Sequence, residues 1–170
     1  VSDVSYAVVE FTGSNWKTQR VEHSYTNVGQ TETETITAVN SLSRAFLHVQ
    51  KRTSQNNHAD FGHEVRFSGL TQISFSLATS AASAANHTSV AWVIENTQTL
   101  GEIMDVTRAT GGFTSGGTGP ETNLISIGKT LTDLSIASLF VNNVSDESQR
   151  SWPEPILAAR LISTTQYELW

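Results

Sequence analysis

The chain has 170 residues and no cysteine, so disulfide scaffolds and Cys-ligated zinc or iron–sulfur centres are excluded. Its net charge is −6 and only 15% of residues are charged, against roughly 25% in an average soluble protein, which leaves no basic stripe for duplex nucleic acid and disfavours an anionic membrane surface. No run approaches the roughly 20 apolar residues of a membrane span, yet hydrophobic residues make up 38% of the chain, enough for a core.

Short alternating runs dominate from the N-terminus onward. Ser5–Glu10 is the first strand-like segment, and Asn27–Gln30 the first turn signal. Thr31–Thr37 alternates Thr with Glu and leads into Ile36, Ala38 and Val39. After a second turn at Asn40–Ser43, Ala45, Leu47 and Val49 alternate with Phe46, His48 and Gln50, a period of two that predicts a strand with one apolar face. Lys51-Arg52 reads as a solvated strand end. A turn at Ser54–Asn57 precedes His58–His63 and a strand at Glu64–Phe67. Ile73, Phe75 and Leu77 again share a face, and the small residues Ala81–Ala85 read as loop. Val90, Trp92 and Ile94 share one face with Ala91 and Val93 on the other, which predicts a strand buried on both sides with Trp92 in the core. The Gly-rich stretch Gly111–Pro120 and the segment Asn142–Gln149 are the remaining loop signals. No window holds helical spacing, so the fold class expected is all-β, a sandwich or barrel.

The chain also resembles itself. Ser5–Glu10 aligns with Val90–Glu95 at an offset of 85, Leu42–Val49 with Leu134–Val141 at 92, and Arg66–Gln72 with Arg160–Gln166 at 94. The larger jump falls on the Gly111–Pro120 stretch, where a loop insertion costs little closure entropy. Two tandem β-sandwich- or barrel-like repeats are expected, at 1–88 and 89–170, the second ending early. Val1 is not an initiator Met, so the chain reads as processed or as part of something longer. A strand from a neighbouring subunit would complete the second repeat.

Few residues suggest chemistry. His58, Asp60 and His63 form the densest set of metal-ligand types, but with no obvious fourth ligand and no helical spacing the signal is weak. Gly128-Lys129-Thr130 lacks the glycine and the helix of a phosphate loop. There is no G-x-S-x-G elbow. Glu10 and Glu95 hold equivalent repeat positions and so are separated rather than paired as in a glycosidase. Neither a cofactor nor an enzymatic activity is expected. Trp152, Trp170 and Phe113 are the aromatic residues expected to make interface or ligand contacts.

The strands Ala7–Phe11 and Val90–Glu95 resemble the V-A-W-x-V-x-E strands of repetitive structural proteins of phages and environmental sequences, and Leu42–Leu47 fits that style. The resemblance implies a virion component such as a head decoration protein, head fibre or tail-associated adhesin. The chain departs from a fibre tip in having no H-x-H pattern and no heptads. The expected role is a virion or extracellular structural protein whose partners are itself and other virion or appendage subunits. The alternative is a carbohydrate- or receptor-binding adhesin module. Nucleic-acid binding and membrane insertion are not expected.

Overall fold

Thr, Val, Ile and aromatic residues in period-two runs favour the pleated strand, whose successive side chains face opposite sides. The computed structural model describes residues 8–53, 63–77, 84, 87–99, 104–108, 123–139 and 159–169. Among these the chain is all-β, with three small antiparallel sheets and no α-helix. The first sheet has the order β1-β6-β3, from Trp16–Ser24, His87–Asn96 and Ala45–Thr53. The second has the order β2-β5-β4, from Thr31–Thr35, Gln72–Leu77 and His63–Gly69. The third has the order β7-β9-β8, from Asn123–Ser126, Gln166–Leu169 and Ala159–Leu161. The turn at Asn27–Gln30 needs a left-handed residue, and Gly29 supplies it at a φ of 67°.

The first two sheets share one core. Ala45, Ala91 and Val93 enter it from the first sheet, and Val65, Ile73, Phe75 and Leu77 from the second. The expected faces Ile73/Phe75/Leu77 and Ala45/Leu47/Val49 are the inward ones. Burying side chains such as Phe75 and Ile73 contributes about 1.5–3 kcal/mol each. The Thr/Glu run of β2 turns its glutamates inward: Glu32 lies opposite Phe75 and Glu34 opposite Ile73, while Thr31, Thr33 and Thr35 are exposed.

Two expectations change. Among the described residues the sheets are open and no barrel closes, and those of the second half form one three-stranded sheet with no facing partner. Trp92 is 37% exposed rather than in the core. The inward phase of β6 belongs to Ser89, Ala91, Val93 and Glu95, which places Trp92 on the outer face between Arg20 of β1 and His48 of β3. Ile94, in the same outward phase, is buried at 5% exposure beside its cross-strand neighbour Phe46.

The expected boundary between residues 88 and 89 falls inside β6, the central strand of the first sheet. The third sheet packs its own small cluster, with Ile127 and Tyr167 buried against Ile125, Leu131, Leu139 and Leu161. Residues 104–108 run back to the first unit. Val106 N–H donates to Ser43 O at 2.6 Å, and the Arg108 guanidinium donates to the carbonyls of Leu42 and Ala45 and lies 5.1 Å from the Phe67 ring centre.

Candidate functional site

Polar chemistry in the described residues concentrates at one end of the shared core. The cross-strand register sets His23, Ser89 and Lys51 side by side in the inward phase of β1, β6 and β3. From the facing side come Phe75 of β5 and His63 of β4, with Tyr25 following β1. The Tyr25 hydroxyl is 3.0 Å from Ser89 Oγ, Ser89 Oγ is 3.1 Å from His63 Nδ1, and His63 Nε2 is 2.9 Å from His87 Nδ1. His23 stacks on Phe75 at 4.6 Å and meets Tyr25 edge-on at 4.9 Å. Its Nδ1 is 2.9 Å from Glu34 Oε1, and its Nε2 is 3.1 Å from Glu32 Oε2 in poor hydrogen-bond alignment, so that second contact is one of proximity to charge.

Environment sets the ionisation of this belt. Burial pushes the Tyr25 phenol up to about 12, with the Ser89 hydrogen bond opposing and the Glu32 charge adding to the rise. Burial alone would raise the Glu32 carboxyl, but hydrogen bonds from Thr26 and Asn27, together with His23, outweigh it and hold the group below its ordinary value. Burial pushes the Lys51 ammonium down to about 8, with Glu64 opposing. Lys51 is therefore half-buried in the inward phase of β3, not the solvated strand end expected.

A serine beside a histidine is the pairing of a nucleophile and its base. Here Ser89 is 0% exposed, and its oxygen is shared between Tyr25 and His63. These contacts satisfy polar groups buried between two sheets. His63, one member of the expected metal set, has both ring nitrogens in this network. His58 and Asp60 lie outside the described residues, as do Phe113, Trp152 and Trp170. Among the described residues no group of three His, Cys, Asp or Glu is placed to hold a metal. Glu10 is exposed, whereas Glu95 is 2% exposed and accepts the Asn40 N–H at 2.5 Å. Gly128 is a turn residue at a φ of 78°, and Lys129 pairs with Asp105.

The belt was legible only in part. His23, His63 and His87 lie far apart in the chain, each in phase with core-facing residues of its own strand: the partly buried Val21, and the buried Val65, Ala91 and Val93. Period-two reading therefore marks them as inward, but it carries nothing about which strands face each other.

A second feature lies on the outer face of the first sheet. Phe11 packs on Trp16 at 5.0 Å and on Phe46 at 6.3 Å between ring centres, and Ile94 lies beside Phe46 in the ladder. Trp92 extends this face with Arg20 and His48 on either side. The described residues also hold a shallow, open depression lined by Ser43, Arg44, Thr99, Met104 and Asp105.

Compared with known proteins, the chain matches no family model, no curated protein and no solved structure. What the fold and these features define is an all-β protein with a polar belt in its core and an aromatic outer face.

Proposed function

We propose that this is a structural protein of a virion or extracellular appendage that works by self-association, built from two copies of one β unit. What supports the reading is a likeness in strand order, register and hydrogen bonding between the second sheet and the third. The orders β2-β5-β4 and β7-β9-β8 correspond strand for strand. The row Glu34–Ile73–Phe67 has its counterpart in Ile125–Tyr167–Leu161, and Thr35–Gln72 in Ser126–Gln166. Ile36 N–H donates to Thr71 O and Val39 N–H to Leu70 O; likewise Ile127 N–H donates to Thr165 O and Leu131 N–H to Thr164 O. Each unit then makes a 3-10 turn, Leu42–Arg44 or Leu134–Ile136, capped by the side chain of Ser41 or Asp133 and closed at Ala45 or Ala137. Independent β segments would have little reason to share hydrogen bonds at these matched positions.

Repeated units that bury a core only by stacking on a neighbour are the physical basis of arrays. Light scattering and negative-stain microscopy of the intact protein test the assignment. A fixed multimer, ring or filament is the expected result, and a chain that stays monomeric at high concentration removes the self-assembly reading.

The second reading, a glycan- or receptor-binding module, is favoured by Trp92, an aromatic ring flanked by the polar side chains Arg20 and His48 on an outer face. A glycan array with the intact protein and with Trp92→Ala decides it. Binding by the intact protein that the variant loses supports this reading; silence of both removes it.

A further inference from the structure

The belt holds two kinds of buried histidine. His23 meets a carboxylate oxygen at each ring nitrogen, Glu34 at 2.9 Å and Glu32 at 3.1 Å. His63 and His87 instead meet each other: His63 Nε2 lies 2.9 Å from His87 Nδ1, and the ring centres are 5.1 Å apart. Both residues are 1% exposed. His63 belongs to β4 of the second sheet and His87 to β6 of the first, so this contact joins the two sheets across their shared core.

A hydrogen bond between two imidazole nitrogens needs one N–H and one bare nitrogen. The linked groups Tyr25, Ser89, His63 and His87 have a neutral arrangement that satisfies all three contacts and leaves neither hydroxyl proton over. In it Tyr25 O–H donates to Ser89 Oγ, Ser89 O–H donates to His63 Nδ1, and His63 Nε2–H donates to His87 Nδ1. An added proton has two places to go. On His63 Nδ1 it turns an acceptor into a donor, and one hydroxyl proton of Tyr25 or Ser89 loses its acceptor in the chain. On His87 Nδ1 it sets N–H against N–H at 2.9 Å. Either way a cation is created between the sheets, where burial disfavours it.

The charged groups around the pair divide in the same sense among the described residues. From β3, Lys51 stands opposite Ser89, and its ammonium is charged once the pH is below about 8. From β1 and the segment after it come His23 and Tyr25, and from β2 Glu32 and Glu34, both engaged with His23. From β4, Glu64 acts on Lys51 and lies 3.7 Å from Arg66. β5 presents Phe75 and Leu77, the latter opposite His63.

We infer that the His63–His87 contact is an acid-sensitive latch between the two sheets, closed while both rings are neutral and released when the pair takes up a proton. β4 then loosens from β6, while His23, held between Glu32 and Glu34, keeps β1 joined to β2. The unfolded chain takes up these protons near the ordinary histidine value of about 6.5. Just below that pH it binds more protons than the folded chain, so stability falls as pH falls. The latch makes the fold firm at neutral pH and looser in mildly acidic surroundings, whichever of the two proposed readings holds.

Urea denaturation of the intact chain at pH 7.5 and 5.5 tests the latch, in a window above the ordinary carboxylate values. The wild-type midpoint is expected to drop at the lower pH. The midpoint of His63→Gln/His87→Asn, which sets two amides in place of the rings and takes up no proton there, is expected to move much less. His23 and His48 are present in both proteins, so the difference belongs to the pair. An equal drop in the two proteins, or a wild-type midpoint that does not move, overturns the latch. Hydrogen exchange on the wild type needs no substitution and decides the matter if the double variant does not fold. Protection of the Glu64–Phe67 amides relative to Gln19–Glu22 is expected to fall on acidification, and a constant ratio overturns the proposal.

Discussion

Ser89 shows what one buried oxygen does in this fold. It joins Tyr25 of the segment after β1 to His63 of β4, and so ties the two sheets at one level. Ser89→Ala leaves the Tyr25 hydroxyl and His63 Nδ1 each without that partner, and a buried group so orphaned costs about 1–3 kcal/mol. Urea denaturation should show a loss of that order. Two neighbours set a pH profile. The folded chain gives up the Lys51 proton near 8, whereas the unfolded chain holds it to about 10.5, so the unfolded state binds more protons in that window and stability rises with pH. Tyr25 acts in the opposite sense: its phenol ionises near 10 when unfolded and at about 12 when folded, so stability falls as pH rises from about 10 to about 12. Denaturation midpoints at pH 8, 10 and 11.5 should therefore pass through a maximum. Lys51→Met should remove most of the rise and Tyr25→Phe most of the fall.

Among the elements, β6 matters most. A strand paired on both sides holds its neighbours in one sheet, and β1 and β3 meet only through it. A fragment of residues 1–88 carries only the first two residues of β6 and should be unfolded by circular dichroism. A fragment of residues 1–108 retains both sheets and the Arg108 contacts to Leu42 and Ala45, and should melt cooperatively. Equal behaviour of the two fragments would count against a central role for β6. The inward glutamates of β2 are the other lesson of this scale. Glu32 is tolerated there because Thr26 N–H, Thr26 Oγ1 and Asn27 N–H all donate to its carboxylate. Glu32→Leu should therefore cost stability although it places an apolar residue in an inward phase, since it strips three donors of one acceptor. A thermal melt that moves upward instead would show the carboxylate to be dispensable.

For the whole molecule the question is how the described residues, with one facing pair of sheets and a third sheet, cover their apolar side chains. Among the described residues the third sheet's cluster has Ile127 and Tyr167 buried, whereas the core shared by the first two sheets holds eleven buried hydrophobic side chains. Small cores are marginal because they remove too little surface from water, so the third sheet should be less stable than the first two. Hydrogen exchange should show faster exchange at Leu124–Ser126 and Gln166–Leu169 than at β6.

Composition and period-two alternation by themselves determined that this chain is all-β, and they placed Ile73, Phe75, Leu77, Ala45, Leu47 and Val49 on inward faces, because a strand sorts its side chains by parity alone. Parity does not say which of two apolar faces of β6 points inward, and so it puts Trp92 in the core as readily as Ala91 and Val93. That choice belongs to the partner sheet, which accepts Ala91 and Val93 and leaves the bulky ring outside. The belt of His23, Tyr25, His63, His87 and Ser89 was decided by tertiary structure for the same reason. Its members come from segments separated by up to 66 residues, from His23 to Ser89, and only the pairing of β1 with β6 and the facing of the two sheets bring their polar atoms within bonding distance.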